Sequence, residues 1–292
     1  MTALPTGTAK RRTPRNRGGG WIGKVMFHAL MLGIAAIFLL PFWWMLISAF
    51  KNNADIFSLD ITWWPDPVRW ENVVALFTRP DFPFLRQFGN SVFYAGMVTL
   101  GTVLSCSVAA YSFACLRWKG RDAVFALTIG TLLIPAIVTF LPTYIVFARM
   151  GLVGTYWPLI APAFLGEAFY IFMMRQFFLG VPRELIDAAR LDGAAEFRIF
   201  WQIVLPQAQT ALVVVALFSI VYTWHEFFGP LIYLNDRNDY PLSVGLFTFR
   251  TQRAVEWPIT MMGSLFTALP LIVMFLFTRR LFREGLATSS LK

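Results

Sequence analysis

The chain has 292 residues, 57% of them hydrophobic and 14% charged, with a formal net charge of +9 and a mean hydropathy of +0.60. Soluble domains carry about 25% charged residues, so this composition excludes an ordinary water-soluble globule and points to lipid as the solvent. The surplus positive charge fits either nucleic-acid binding or the cytoplasmic loops of a membrane protein, and its placement along the chain decides between them.

The opening residues 1–24 carry Lys10, Arg11, Arg12, Arg15, Arg17 and Lys24 and the run Gly18–Gly20, which reads as a flexible basic tail. Six apolar runs follow, at 25–50, 88–115, 123–147, 156–174, 210–234 and 259–277, each near the roughly 20 residues that a membrane helix needs. The first is too long for the apolar core of a signal peptide, about 7–15 residues, and is expected to be retained. The expected fold class is therefore all-α integral membrane. Six transmembrane helices occupy a membrane domain at 25–281, and a short tail at 282–292 follows it.

Lysine and arginine are distributed unevenly between the two sides. One side holds the basic tail, then Arg117, Lys119 and Arg121, then Arg175, Arg183, Arg190 and Arg198, then Arg279, Arg280, Arg283 and Lys292. The other holds only Lys51, Arg69, Arg79, Arg86, Arg149, Arg237, Arg250 and Arg253. The positive-inside rule places the richer side, and both termini, in the cytoplasm. The positive charge thus has a topological explanation, and nucleic acid is not expected as a partner. Two outer loops, 51–87 and 235–258, are substantial. The outer link at 151–155 is short, so spans three and four form a hairpin.

The long cytoplasmic link at 182–206 reads PRELIDAARLDGAAEFRIFWQIVLP. Pro182 suits the start of a helix. Glu184 and Asp187 put negative charge in its first turns, which the helix dipole favours. Gly193 is placed to end it. A second helix is expected to carry Phe197, Phe200, Trp201 and Val204 on one face, with Pro206 stopping it before span five. Periodicity alone fits two readings: a rigid docking element of two helices, or an amphipathic helix lying on the membrane surface.

Polar groups inside spans are costly and are usually functional or paired. Glu167 and Tyr170 fall in span four, about one turn apart. Trp224, His225 and Glu226 fall in span five. These residue types suit the binding of hydroxyl groups beside aromatic faces. A packing role stays open for Glu226 and Glu167. His28 is expected at the membrane interface. Gly101, Ser105 and Ala109 form a small-residue stripe on span two, facing either a partner or the chain's own bundle. Prolines 41, 135, 142, 158, 162 and 270 are expected as kinks. Cys106 and Cys115 match no metal-ligand spacing and are expected to pack. No metal site, catalytic residue or GxxxxGK[ST] phosphate loop is readable.

The cytoplasmic link resembles the EAA loop of ABC-importer permeases. Asp187-Ala188-Ala189 stands for Glu-Ala-Ala, Asp192-Gly193 supplies the glycine, and Ile203-Val204-Leu205-Pro206 supplies the ending. Asp187 keeps the charge of the usual glutamate on a side chain one methylene shorter. Further similarity to carbohydrate importers of the maltose-transporter type lies in Arg175–Phe178, in the stretch from Trp224 to Ile232, in Pro241–Leu246 and in the tail from Glu284 to Lys292, where Ser289 stands for a common glycine.

The resemblance implies a permease that is not itself an enzyme, in the bacterial cytoplasmic (inner) membrane. It would couple through Glu184, Asp187, Ala188, Ala189, Asp192, Gly193, Phe197 and Pro206 to two ATPase subunits, which bind ATP and Mg2+; this chain itself holds no cofactor. A second, non-identical permease and an extracytoplasmic solute-binding protein are the other implied partners. The implied substrate is a sugar or oligosaccharide, passing Glu167, Tyr170, Trp224, His225 and Glu226. Glycerol 3-phosphate, or a lipid-modifying membrane enzyme, are the alternatives.

Overall fold

The computed structural model describes residues 21–60, 62–252 and 255–289, the side chains of 250–252 and 279–289 excepted. Residues 1–20 of the basic tail and the last three residues of the C-terminal motif lie outside it. The described residues are helical, with no strand.

Span one is the helix Trp21–Ala49, which begins inside the expected tail. Nearly all of it is exposed; only Ile47, Ser48 and Ala49 are buried. Its last carbonyls, orphaned by the helix end, accept from the Asn72 amide, which bonds both Ala49 O and Lys51 O at 2.9 Å. Trp43 and Trp44 pack on Trp64 and Trp63 with ring centroids 6.2 Å apart. This is the aromatic belt expected where a helix leaves lipid. Lys51 is buried, yet its ammonium is satisfied: it donates to Thr62 O and sits 4.7 Å from the centre of the Trp44 ring.

Span two, Phe84–Cys115, is the central strut against which spans four and five both pack. Its small-residue stripe faces the chain's own bundle. A side chain at Gly101 would strike the Phe164 ring at 2.6 Å, and Ser105 Oγ donates to Ala163 O at 2.8 Å. Span six, Trp257–Ser289, lies beside span one and continues as helix through most of the expected tail.

Six spans with proline kinks were expected, and several are broken more sharply than a kink. Four helical stretches are long and apolar enough to cross a membrane, and up to six if each bent pair is one span. Span three is two helices, Arg121–Gly130 with its 3-10 extension to Leu133 and then Ala136–Arg149, meeting at 98°. The cause is Pro135, whose ring drives Ile134 out of helical geometry to φ −85°, ψ 116°. Pro41, Pro142 and Pro270 stay inside continuous helices. Span four breaks at Gly166, φ +89°, a left-handed conformation that costs glycine little. Span five, Gln209–His225, breaks at Glu226 and resumes as Phe228–Tyr233.

Two cores hold these pieces. The outer one joins Ala49, Leu76, Phe82, Phe84, Trp224, Leu242, Ile259 and Met262. The inner one joins spans two, four and five to the cytoplasmic link through Met174, Phe178, Ile186, Ile199, Phe200 and Val204. The outer loop at 235–258 is itself ordered by long-range bonds. Asn90 Nδ2 donates to Asn238 O at 2.7 Å, the Tyr156 hydroxyl to Asp239 O at 2.6 Å and Leu242 N to Ser91 Oγ at 2.8 Å. They fold the helix Leu242–Gln252 back onto span two, so close that a side chain at Gly245 would overlap the Gln87 amide.

Candidate functional site

The link at 182–206, expected in the cytoplasm, begins as the helix Arg183–Leu191, capped by Asp192. Gly193 follows at φ +80° with no heavy atom near its missing side chain, so backbone conformation rather than space selects glycine here. The helix closes with two reversed bonds, Gly193 N to Arg190 O and Ala194 N to Ala189 O, both 3.0 Å. These satisfy two orphan carbonyls and make a Schellman turn of defined angle. The chain re-enters helix at Glu196–Ile199, widens to a π-turn over Phe200–Val204 and runs on as Leu205–Gln207.

Two expectations for this second helix are corrected. Pro206 does not stop it. A proline has no N–H to donate and its ring crowds the carbonyl four residues earlier, and the π-turn just before Pro206 widens the backbone there. The stop comes at Ala208, where the chain turns 80° into span five. Nor do the four large residues share a face. Phe200 and Val204 are buried in the inner core, whereas Phe197 and Trp201 are exposed, their rings stacked 12° apart in plane. Two neighbouring stripes four residues apart in period thus split between core and surface.

The bend is fixed by a network that sequence reasoning missed. Arg190 Nε donates to Glu196 Oε1 at 2.7 Å and its Nη1 to Asp187 Oδ1 at 3.2 Å. The other Glu196 oxygen accepts the Tyr111 hydroxyl at 2.5 Å. The Arg190 guanidinium holds the Glu196 carboxyl below its ordinary range, with the Tyr111 hydroxyl adding to the effect. Tyr111 is nearly buried at the inner end of span two, so the network ties both helices of the link to that span. The two glutamates flanking the link look alike in sequence, and only distance separates Glu196, in the network, from Glu184, exposed and without a partner in it.

The remaining candidates divide plainly. Asp187, Ala188, Asp192 and Pro206 are exposed, and Ala189 packs against the inner core. Ile186 anchors the first helix. Leu185, Leu191, Phe197 and Trp201 are all exposed, Leu191 90%, and the stacked Phe197 and Trp201 rings form an apolar ledge on the second helix. The structure thus combines a stiff frame with uncovered apolar side chains.

A second group of candidates lies within the membrane. Glu167 sits in the break of span four, extended at φ −117°, ψ 128°, just before the helix Ala168–Phe178. Its side chain is exposed in the isolated chain, while its backbone is fixed by Cys106, whose sulfur accepts the Glu167 N–H at 3.3 Å. Glu226 sits in the break of span five, and its Oε1 accepts the Gly229 N–H at 2.8 Å. Both carboxylates therefore precede the N-terminus of a half-helix, where negative charge is favoured. Tyr222, 70% exposed and one turn before Glu226, is in electrostatic reach of both glutamates, and Tyr94 adjoins Glu226. Neither tyrosine stands out in the sequence.

Tyr170 and Trp224 face inward instead. The Tyr170 ring is buried in the inner core, and Trp224 is buried with its Nε1 donating to Thr267 O at 3.0 Å and its ring edge-on to Phe88. His225 ends its helix exposed. No group of His, Cys, Asp or Glu that could hold a metal occurs among the described residues.

Residues 101–284 match the family described as the binding-protein-dependent transport system inner membrane component. The chain is 33% identical over 255 residues to the probable ABC transporter permease protein YurM of Bacillus subtilis, covering 86% of this chain and 83% of that one. It is 31% identical to the arabinooligosaccharides transport system permease protein AraQ of Halalkalibacterium halodurans, over 89% of this chain and 93% of the relative. It is 28% identical to the sn-glycerol-3-phosphate transport system permease protein UgpE of Yersinia pestis, over 91% and 96%. A crystal structure of a bacterial ABC transporter importing the acidic polysaccharide alginate contains a chain of the same fold, with a TM-score of 0.80 at 19% identity over 92% of this chain and 99% of that one. With its broken spans and framed link at 182–206, the chain belongs to the binding-protein-dependent transport system inner membrane components: it is a multi-pass membrane permease subunit of the ABC-importer type.

Proposed function

We propose that this chain forms half of a translocation path for a sugar or oligosaccharide, paired with a second, non-identical permease. Two ATPase subunits that bind ATP and Mg2+ drive it, docked on the cytoplasmic link, and an extracytoplasmic binding protein delivers the solute to the outer loops. The exposed ledge of Phe197 and Trp201, with Leu185 and Leu191 also uncovered, on a doubly tied frame is the observation that carries this reading. A stiff element in a socket transmits rigid-body motion, which a slack loop would dissipate. The lysine and arginine bias, with this link on its richer side, puts both termini in the cytoplasm.

For the solute, the span breaks supply Glu167 and Glu226, with the exposed Tyr222 in reach of both and Tyr94 beside Glu226. Spans five and six carry no lysine or arginine between residues 209 and 278 outside the outer loop, and Arg175 is the only one in span four. Carboxylates and phenols without a cation suit hydroxyl groups and disfavour an anion. An uncharged carbohydrate is therefore preferred over glycerol 3-phosphate, the substrate in the name of one relative.

The test is reconstitution with a partner permease, ATPase subunits and a solute-binding protein. Phe197→Ser together with Leu191→Ser should leave the chain folded but uncouple binding-protein-stimulated ATP hydrolysis. Tyr222→Phe should raise the transport KM with hydrolysis intact. Unchanged stimulation in the first variant would reject the docking role of the ledge.

A further inference from the structure

A cleft of about 360 Å³ opens where span two ends, span three starts and the coupling helix begins, lined by Arg117, Trp118, Gly120, Arg121, Asp122, Ala123 and Arg183. A narrower pocket bordered by Arg117, Arg121 and Arg183 continues from it toward Arg190. We propose that this cleft binds the phosphodiester headgroup of an anionic phospholipid. The site takes its leaflet, the cytoplasmic one, from the orientation proposed above; its chemistry stands independently.

Arg121 is already positioned: it bonds Asp122 Oδ1 at 3.0 Å and Leu116 O at 3.2 Å. Arg117 and Arg183 make no ion pair with a carboxylate among the described residues, so two guanidinium forks face the cleft uncompensated. Three arginines against one aspartate leave it strongly positive. Guanidinium is planar, always charged and matched to two phosphate oxygens, so it selects a phosphodiester over a diffuse field.

The surroundings fit a lipid better than a soluble anion. Trp118, part of the cleft wall, donates its Nε1 to Ser112 Oγ at 3.1 Å, as an interfacial tryptophan does with its polar edge. Beyond the cleft the helix Arg121–Gly130 exposes Val124 and Leu127, the latter 72%, which gives acyl chains an apolar wall. Basic pockets between membrane helices on the cytoplasmic side suit acidic headgroups for these reasons. A carboxylate from a docked ATPase is the competing occupant. Arg183 opens the first helix of the link, whereas the Phe197 and Trp201 ledge belongs to the second, beyond the Gly193 turn. A bound lipid would pin the near end of that helix to spans two and three.

Native mass spectrometry of the full chain purified in detergent, alone and with its partner subunits, tests this. Phosphatidylglycerol should be retained about ten-fold more strongly than phosphatidylcholine, and R117Q/R183Q should remove that preference, whereas R69Q/R149Q on the opposite side should not. Millimolar inorganic phosphate should fail to displace the lipid. Equal retention of the two lipids, or an unchanged preference in R117Q/R183Q, overturns the proposal. Displacement by inorganic phosphate overturns it in favour of a free-anion site. Loss of the ATPase subunits from R117Q/R183Q with lipid retention intact assigns the arginines to the ATPase. Because the lipid arm also runs on the chain alone, its failure is separable from failure of the importer reading.

Discussion

Glu196→Gln is the most informative perturbation, because one carboxylate joins the two halves of the cytoplasmic link to span two. It receives Arg190 at 2.7 Å and Tyr111 at 2.5 Å. The Arg190 and Glu196 side chains are 36% and 46% exposed, so solvent screens the ion pair and its contribution falls to about 0.2–1 kcal/mol. The Tyr111 bond is drier and charge-assisted, and we assign it about 1–1.5 kcal/mol. The two together predict about 1–2 kcal/mol for Glu196→Gln, and a coupling near 1 kcal/mol between Tyr111→Phe and Glu196→Gln in a double-mutant cycle.

Local hydrogen exchange of the amides from Ala194 to Phe200 reads this directly, and 1 kcal/mol accelerates it about five-fold. The pH dependence has a defined sign. Arg190 depresses the folded-state pKa of Glu196, so its contribution is complete above the unfolded glutamate value of about 4.3. It is lost as pH falls through the lower folded value. Protection of the link should therefore be flat from pH 7 to 5 and fall only under more acid conditions, and Glu196→Gln should abolish that fall. Additive single variants with unchanged exchange would refute the claim that the link is braced on span two.

Three further outcomes follow from the geometry. Gly193→Ala should cost about 1–2 kcal/mol from its left-handed backbone alone, and Gly193→Asn clearly less; circular dichroism melts and coupled hydrolysis compare the two. Gly101→Ala should destabilise by about 1–3 kcal/mol through the Phe164 ring, and Phe164→Ala should recover part of that loss in thermal unfolding, since the clash is with one side chain. Glu256→Gln breaks an ion pair with Arg79 at 2.7 Å whose side chains are 38% and 26% exposed, and should shift stability by no more than about 1 kcal/mol, less in high salt.

The membrane character of the chain and the bend at Gly193 were both legible in the sequence. Each depends on local quantities: the partition of an apolar run and the steric freedom of one glycine. Pro135 was legible as a perturbation, but its consequence, a 98° corner rather than a kink, was not. The face-sharing expected for Phe197, Phe200, Trp201 and Val204 failed because periodicity fixes angles around an axis and leaves open which stripe finds a partner.

Long-range packing settled the remainder. Glu196 meets Tyr111 across 85 residues of chain, and nothing near either residue announces it. Trp224 looked like a solute platform and became a wedge between spans because Thr267 O and Phe88 were there to receive it. Tyr222 drew no notice on its helix and acquired meaning when span four broke at Gly166 and brought Glu167 within reach. Sequence by itself determined which segments are apolar enough to enter lipid, because water, lipid and local backbone sterics act on each segment alone. Only the tertiary structure decided which polar groups meet and which apolar face stays open, because those depend on what each segment packs against.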